Sequence, residues 1–389
     1  MPVDFLQIRT QIKEKGLAAV QRHKALEEKI EEAFRIFLSY AGELEALTGL
    51  VEQASQRNKD LRCAVPGELA LNHTIPAPVA DSPLVILAAD GSQVNPDRHS
   101  QIEFGVINTG AVRFAPGEPP SERVDTTLLL GDDLELESGP MTEEIVALLR
   151  DLNERTLLAR LAEQESLPVV TLTDGQLELF HEAKQSAEYD RRLEEYEAAL
   201  RRLSRVEAVT AGYVDRPKGD LVVRLLELTM VSPEELAAIH RLRPLRWVRD
   251  TYLFEKILQP GQRSAVFKIK SRDSGSFQGE LALHFFYINV GDERRDHLAR
   301  VEIPAWVAEH TILVDRLHAA ILGQVQPLSS RPYPYAIHRA HEVAVVRQDE
   351  KQQVNDMIAL EFLALGLPPG DRSNKQIAKD NFGKRTRMK

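Results

Sequence analysis

The first sixty residues place apolar and charged side chains at the spacing of an amphipathic helix. Between residue 4 and about residue 60, apolar side chains recur mostly at steps of three and four among Lys, Glu and Arg. After Pro2, no proline interrupts the stretch before Pro66. The pattern predicts a helical N-terminal segment over residues 1–65, which packs on its own domain or on a second subunit.

Residues 66–83 contain Pro66, Gly67, Pro76 and Pro78 and are predicted to form a linker. The pattern then changes to short apolar runs with the length and β-branched content of buried strands. The first run covers residues 83–89 and stops at Asp90-Gly91-Ser92, and the second covers residues 167–172 and ends at Thr173-Asp174-Gly175. Between them, residues 102–112 should supply one or two strands broken at Gly110, followed by a loop up to Pro140.

Helical periodicity returns over residues 141–165, and residues 178–209 are predicted to form a highly charged helix or helical pair. Further strands are expected at 265–270 and 281–290, and further helices at 306–324 and from Tyr333 to about Arg347. This mixed order predicts an α/β domain over residues 84–365 with a helical insertion at about 178–245.

Both predicted strands end in Asp-Gly, at Asp90-Gly91 and at Asp174-Gly175. Ligands usually bind beyond the carboxyl ends of strands in an α/β sheet, and glycine lets the chain turn sharply there. Asp-Gly is also a common turn dipeptide, so one copy alone indicates little. Two copies, each after a hydrophobic strand, predict a pair of carboxylates in one pocket.

Two carboxylates at a separation of about 4 Å repel each other by about 4 kcal/mol at an effective dielectric constant near 20. A fold keeps such a pair when a proton or a divalent cation bridges it. Oxygen ligands favour Mg²⁺ or Mn²⁺, and two such ions are a common device for cleaving phosphodiesters. The pair therefore predicts a two-ion phosphodiesterase site.

A third acid is expected from the helix between the two strands. Glu154 is the best candidate, because it lies mid-helix among Leu152, Leu157 and Leu158, near the face that should pack on the sheet. The alternative is a surface glutamate on a charged helix. Near the C-terminus, His338 and His341 share one face of a helix, where an imidazole could ligate Mn²⁺ or position a phosphate. A zinc site would need a third soft ligand at a suitable spacing.

Composition limits the class of protein. The 389 residues are 43% hydrophobic and 28% charged, as in an ordinary globular protein long enough to bury a large core. A single cysteine, Cys63, excludes an intrachain disulfide and a Cys-rich zinc site. The sequence has no apolar run of membrane-spanning length and no signal pattern at its start, so a cytoplasmic protein without a membrane partner is expected.

The net charge of −10 argues against a simple basic coat protein for nucleic acid, but a nuclease site must itself be acidic to hold cations. Residues 366–389 are predicted to form a basic, disordered tail, with seven Lys and Arg against two Asp from Leu367 onward. The tail could also touch phosphates or a partner protein. Arg98 and His99, just after the first Asp-Gly, are candidates for contacting substrate phosphate or belong to an ordinary polar loop.

Taken together, these residues resemble the NurA family, nucleases of DNA end resection that work with a HerA-type hexameric ATPase. The resemblance covers about residues 84–347. It rests mainly on the motifs Asp90-Gly91-Ser92-Gln93, Pro96-Asp97-Arg98-His99, Thr173-Asp174-Gly175, Tyr333-Pro334 and Ala340-His341. Shorter agreements lie at residues 211–214, 260–264, 286–287 and 301–304.

The resemblance implies a ribonuclease H-like mixed-sheet core with catalytic and metal-binding residues Asp90, Glu154, Asp174 and His341, and a catalytic role for Tyr333. It also implies Mn²⁺ (or Mg²⁺) dependence, a homodimer, 5′-to-3′ exonuclease or endonuclease activity on DNA, and docking on a HerA-like ATPase. The sequence has no Gly-x-x-x-x-Gly-Lys-Ser/Thr motif, so a motor would have to come from a partner.

Two other functions stay open on the sequence. One is a catalytically inactive ribonuclease H-like scaffold that binds DNA or regulates an ATPase, which needs the fold but not the metal ions. The other is a metal-dependent phosphoesterase that acts on nucleotides. Measuring Mn²⁺ binding distinguishes the inactive scaffold from a nuclease. Comparing the products formed from long linear DNA and from mononucleotides distinguishes the nucleotide phosphoesterase from a nuclease.

Overall fold

The computed structural model describes residues 3–79, 82–98, 100, 102–136, 139–179, 187–271, 277–328 and 331–366. The helices are α1 (Phe5–Ser39), α2 (Leu44–Arg57), α3 (Glu143–Ala162), α4 (Ala187–Arg205), α5 (Leu221–Glu227), α6 (Ile239–Leu242), α7 (Asp250–Phe254), α8 (Ala305–Ala308), α9 (Thr311–Val325), α10 (Tyr335–Ala344) and α11 (Gln348–Ala364). The strands are β1 (Cys63–Pro66), β2 (Thr74–Ile75), β3 (Val85–Val94), β4 (Phe104–Phe114), β5 (Ser121–Leu130), β6 (Glu135–Leu136), β7 (Gly139–Pro140), β8 (Val169–Asp174), β9 (Val209–Asp215), β10 (Arg263–Ser264), β11 (Phe267–Lys270), β12 (Leu283–Asn289) and β13 (Leu298–Pro304).

The chain forms two compact units, and each unit is built from two separate stretches of sequence. The first unit contains Met1–Val79 and Tyr213–Leu322, and the second contains Ala80–Gly212 and Gly323–Lys389. The boundaries predicted from the sequence divide the chain into consecutive segments instead. Periodicity along a chain carries no information about which distant stretches pack together, so this grouping had no sequence signal.

In the second unit the strands follow the order β5-β4-β3-β8-β9. Strands β3, β4 and β5 pair antiparallel, and the chain then passes through α3 to reach β8, which pairs parallel with β3. A three-stranded meander followed by a helical crossover to a parallel fourth strand is the ribonuclease H-like arrangement. The predicted fold class, α/β with a mixed sheet, is confirmed.

Strand β3 continues through Asp90, whereas the sequence predicted that it ends there. Its parallel pairing with β8 stops at Ala89 and Thr173, but its antiparallel pairing with β4 extends to Val94 and Val106. The neighbour on the other side therefore keeps the strand extended. Asp90 therefore follows the last residue of β3 that pairs with β8, although β3 itself continues to Val94.

The region after β3 also differs from the prediction. Strand β4 runs unbroken through Gly110, where a side chain would meet α10, because an added Cβ would lie 2.7 Å from Ala344 N and 2.9 Å from Ala340 O. The stretch predicted as a loop before Pro140 contains β5, whose side chains are mostly exposed. An exposed strand has no apolar face to bury, so it lacks the alternation by which strands are recognised.

In the first unit, the strand order is β1-β11-β12-β13, and β10 pairs with both β12 and β2. The unit has an aromatic core in which ring centroids lie 4.6–6.0 Å apart, formed by Phe37, Phe254, Phe267, Phe285 and Tyr287. Phe37 comes from the last turn of α1, whereas the first turns of this helix leave Phe5, Leu6 and Ile12 exposed. The predicted N-terminal helix is therefore present, interrupted at residues 40–43.

Other stretches match the sequence prediction in part. The predicted linker contains β2, and β9 interrupts the predicted helical insertion. Strand β13 and helix α11 had no prediction of their own, and the basic tail lies outside the described residues beyond residue 366. Among the helices of the described chain, none has both the length and the apolar character that crossing a bilayer demands.

Candidate active site

Asp90 and Asp174 lie side by side on neighbouring strands. The last parallel pair of β3 and β8 joins Ala89 to Thr173, so the two aspartates are the next residues on adjacent strands. Adjacent strands lie about 4.8 Å apart, which brings the two carboxylates to one edge of the sheet. The side chain of Asp90 is 15% exposed, and Asp174 is exposed. The structure therefore places the two predicted aspartates at neighbouring positions on adjacent strands.

His341, on α10, contacts Asp90 of this pair. Its Nδ1 lies 2.6 Å from Oδ2 of Asp90, while Oδ1 of Asp90 accepts a hydrogen bond from the backbone N–H of Gly91 at 2.9 Å. Both carboxylate oxygens are thereby held. His341 itself is 61% exposed, so it can meet a ligand from solvent. The histidine that sequence and resemblance predicted therefore contacts the first aspartate directly.

Two polar side chains fix the end of α10 against the sheet. Ser92 Oγ donates to Ala344 O at 2.6 Å and accepts from Val346 N at 3.0 Å. Asn108 Nδ2 donates to the same Ala344 carbonyl at 2.8 Å. These bonds satisfy backbone groups that the helix leaves open at its C-terminal end. They also hold the last turn of α10, and with it His341, over β3.

Glu154 lies inside the protein, on the face of α3 that packs on the sheet. It is 5% exposed, and the Nε of Arg150 lies 3.8 Å from its Oε1. Burial is the largest cause that raises the pKa of Glu154 well above its ordinary value, and the charges of Asp151 and Asp90 raise it further, while Arg155 and Arg150 oppose the shift. The alternative of a surface glutamate is excluded.

The two glycines of the Asp-Gly pairs serve different purposes. Gly175 has a φ of +85°, so it makes the sharp turn after β8 that the sequence predicted. Gly91 stays within an extended strand. A Cβ on Gly91 would lie 2.9 Å from Glu154 Oε1 and in hard contact with Arg150 Cγ. Gly91 therefore lets α3 approach β3 closely, with Glu154 Oε1 packed against this residue.

A buried arginine supports the strand end that carries Asp174. Arg155 is 3% exposed, donates from Nε to Tyr196 Oη at 3.0 Å and donates from Nη1 to Thr173 Oγ1. Tyr196 Oη in turn donates to the carbonyl of Leu177 at 3.0 Å. The network fixes both sides of the turn at residues 174–176. Sequence reasoning missed it, because a buried Arg and a surface Arg are indistinguishable in a charged helix.

Asp151 was also missed. It lies three residues before Glu154 on α3 and contacts Arg150 Nη2 at 2.9 Å, and its charge contributes to the raised pKa of Glu154. The only available signal was its place on α3 between apolar residues that pack inward. A fourth acid near the site strengthens the local negative charge that a cation would neutralise.

The remaining predicted residues have less defined places. Tyr333 is half-buried in the segment that leads into α10, and its role stays a prediction. Arg98 is exposed on a turn, with Nε 4.0 Å from Glu103 Oε1, and its contact with substrate phosphate also stays a prediction. His99 lies outside the described residues.

The donors at the site suit a hard divalent cation. Carboxylate oxygens with one imidazole nitrogen match the ligand preferences of Mg²⁺ and Mn²⁺. Within the described residues, no three Asp, Glu, His or Cys side chains converge on one metal-sized point. Asp90 is hydrogen-bonded to His341 instead. The burial of Glu154, with Asp151 and Asp90 nearby, is the feature that fits a cation, since a cation would offset the cost of its charge.

Comparison with known proteins identifies the family. The model of the NurA domain matches residues 84–346, which is more than half of the chain. The NurA nuclease from Sulfolobus solfataricus is 13% identical, with a TM-score of 0.47, over 85% of this chain and 97% of that one. The catalytic domain of human endonuclease V is 13% identical, with a TM-score of 0.32, over 83% of this chain and 99% of that one.

Endonuclease V from Ciona intestinalis is 14% identical, with a TM-score of 0.31, over 78% of this chain and 96% of that one. No match was found among curated proteins. At these levels of structural likeness, the assignment depends on the family match over residues 84–346. That match includes Asp90, Glu154, Asp174 and His341, and on it the chain belongs to the NurA family of nucleases.

Proposed function

We propose that this protein is a metal-dependent DNA nuclease whose reaction centre is formed by Asp90, Glu154, Asp174 and His341. One observation carries the proposal: Asp90 and Asp174 occupy the next positions after the last parallel pair of β3 and β8, and the buried Glu154 packs against Gly91, the residue after Asp90. Acids collected in this way are stabilised by a proton or by a bound cation.

The four side chains would hold Mn²⁺ or Mg²⁺, as two ions. Bound there, the ions would activate a water molecule for attack and stabilise the leaving oxygen of the phosphodiester. Asp90 is oriented for this role by the N–H of Gly91 and by His341. Asp174 is exposed at the strand end, where a DNA phosphate can reach it.

His341 would either ligate a cation or position the scissile phosphate. Its Nδ1 is engaged by Asp90, which fixes the ring and leaves Nε2 as the atom that meets the ligand. Tyr333, Arg98 and His99 are proposed to contact the substrate around this centre. The Arg155–Tyr196 pair touches neither substrate nor cation and acts by holding the Asp174 turn.

The family resemblance extends the proposal to the biological role. The protein would resect DNA ends in the 5′-to-3′ direction as a homodimer docked on a HerA-type hexameric ATPase, which would supply the motor. Exposed apolar residues on α11, namely Met357, Leu360 and Leu363, and on α1 are available for such contacts.

Cleavage of end-labelled linear DNA tests the proposal. Wild-type protein should cut in Mn²⁺ or Mg²⁺ and stop in chelator, and Asp90→Asn and Asp174→Asn should each be inactive. Asp190→Asn, the same change at an exposed position on α4, is the matched control and should cut normally. Labels at the 5′ or 3′ end report the polarity of degradation. Normal cleavage by either site variant, or cleavage in chelator, would refute the proposed centre.

A further inference from the structure

A basic groove lies in the first unit, formed by α1 and the segment that leads into α7. Its cavity has a volume of about 820 Å³. Six cationic side chains and one acid, Asp220, are among its lining residues, and the cations are Arg22, Lys29, Lys218, Arg243, Arg246 and Arg249. In a chain of net charge −10, this excess of positive charge is local and needs an explanation. We call this cavity the Trp247 groove.

Trp247 stands exposed at the groove. It is 70% exposed, whereas the other tryptophan of the chain, Trp306, is 9% exposed. The guanidinium of Arg246 lies 4.8 Å from the ring centroid of Trp247, which presents a cation beside an aromatic face. Burial does not explain this placement, because most of the ring remains in contact with solvent.

The backbone also holds Trp247 in an unusual conformation. Its φ is +82°, in the left-handed region that bulky residues rarely adopt, and Arg243 in the same segment has a φ of +39°. Such conformations persist where the surroundings fix them, and they are found at ligand sites. A glycine would adopt this φ without strain, so the tryptophan is not there to satisfy the backbone.

The one acid of the groove is engaged in structural contacts. Asp220 accepts from Arg224 Nε at 2.8 Å and from Arg243 Nη2 at 2.6 Å. Arg243 also donates to the buried Glu227 at 2.7 Å. Arg243 therefore supports the groove wall, while Lys218, Arg246 and Arg249 supply the positive charge that a ligand would meet.

We propose that the Trp247 groove binds a single-stranded segment of DNA. A base would stack on the exposed face of Trp247, and neighbouring phosphates would pair with Lys218, Arg246 and Arg249. Aromatic side chains interleaved with cations are how proteins bind single strands, because every unpaired base offers a face for stacking. A duplex keeps its bases stacked on each other, so it cannot use Trp247 in this way.

Binding of a fluorescent oligothymidylate, which forms no duplex, tests the proposal. The full-length protein carries Asp90→Asn and is measured in chelator, so that cleavage cannot intervene. Adding Trp247→Gly should weaken binding on the order of tenfold or more, the loss expected for one stacked base. Trp247→Phe should recover part of the affinity. Because φ at this position suits glycine, the Trp247→Gly protein should unfold at the same temperature or higher.

Charge variants and competing ligands complete the test. Arg249→Ala should weaken binding and reduce its salt dependence, whereas Arg294→Ala, at an exposed turn of the same unit, should change neither. Unchanged affinity in Trp247→Gly overturns the proposal. Thymidine monophosphate binding as tightly as oligothymidylate would also overturn it, because that result would indicate a nucleotide site. Tighter binding of a blunt duplex than of oligothymidylate, dependent on Trp247, would overturn it as well. The binding assay does not depend on cleavage, because it is run in chelator on the Asp90→Asn protein. A failure of the proposed nuclease centre would therefore leave the binding result unaffected, and the reverse also holds.

Discussion

Two carboxylates, Glu154 in the second unit and Asp250 in the first, are shielded from solvent, at 5% and 0% exposure. Asp250 accepts hydrogen bonds from Val222 N at 3.0 Å, Val223 N at 2.8 Å and Tyr287 Oη at 2.8 Å. Glu154 accepts no hydrogen bond from any of the described residues, and faces Arg150 at 3.8 Å together with the charges of Asp151 and Asp90.

The difference separates an acid whose hydrogen bonds are satisfied from the acid that we propose for the reaction centre. Buried polar groups are almost always hydrogen-bonded, and Asp250 follows this rule by closing the first turn of α5. Glu154 departs from it while other acids surround it. A carboxylate that is poorly solvated, near other acids and short of donors is unfavourable unless it is protonated or a cation is admitted. Burial alone would have ranked the two carboxylates equally, whereas their partners distinguish them.

The largest expected effect comes from replacing Glu154, the buried acid that lacks hydrogen-bond donors. Glu154→Gln should reduce DNA cleavage by about a thousandfold or more, because a metal clamp contributes several kcal/mol to the transition state. The same change should raise stability at neutral pH. The pKa of Glu154 is raised, so its ionisation costs stability as pH rises through that value, and glutamine removes the cost.

Single-turnover cleavage and urea unfolding of the same preparation measure both effects of Glu154→Gln. Glu188→Gln, whose acid is held by Arg191 and Arg192 on α4, is a contrasting control that should cleave normally. Retained cleavage in Glu154→Gln, or a clear loss of stability at neutral pH, would place Glu154 in the same structural class as Asp250.

The pH dependence of stability should report Asp250. Burial is the main cause that raises its pKa from 3.8 to about 6, so between these values the folded state binds more protons than the unfolded chain. This contribution to stability is fully present below about pH 4 and is lost as pH rises through about 6. Asp250→Asn lacks the titration, so the stability of the wild type relative to this variant should fall by about 3 kcal/mol from pH 4 to pH 7.

Urea unfolding of wild type and Asp250→Asn at several pH values measures the change, and DNA cleavage by the folded variant should be normal. A stability difference that is constant with pH would show that folding does not raise the pKa of Asp250, and it would contradict this prediction.

A smaller effect is expected at the network under Asp174. Tyr196→Phe removes the acceptor of Arg155 Nε and the donor to Leu177 O, so it should cost about 1–2 kcal/mol of stability. Cleavage should fall by about tenfold, because the turn carrying Asp174 loses one of its anchors. Tyr189→Phe, at a second buried tyrosine of α4, is the comparison variant. Equal cleavage by both variants would show that the network is structural only.

Much of the site could be predicted from sequence because its elements follow strong local patterns. The apolar runs before Asp90 and Asp174 gave two core strands, and the periodicity of residues 141–165 gave the helix that carries Glu154. Acids that follow two such apolar runs then implied that Asp90 and Asp174 lie at neighbouring positions, as they do.

What the sequence did not reveal depends on neighbours that lie far away along the chain. The purpose of Gly91 requires knowing that α3 crosses it, and the continuity of β4 at Gly110 requires knowing that α10 packs there. The support of Asp174 by Arg155 and the exposure of Trp247 likewise exist only in the folded chain. Strand β5 was not predicted because most of its side chains are exposed, so it shows no regular alternation of apolar and polar positions.

Calorimetric titration with Mn²⁺ tests the central claim, that these acids converge to hold divalent cations, most directly. Wild-type protein should bind Mn²⁺ with micromolar affinity, and Asp90→Asn and Glu154→Gln should each abolish or strongly weaken that binding, whereas Asp250→Asn should bind as the wild type does. Unchanged Mn²⁺ binding in both site variants would contradict the claim, since the cation would then be held by other residues.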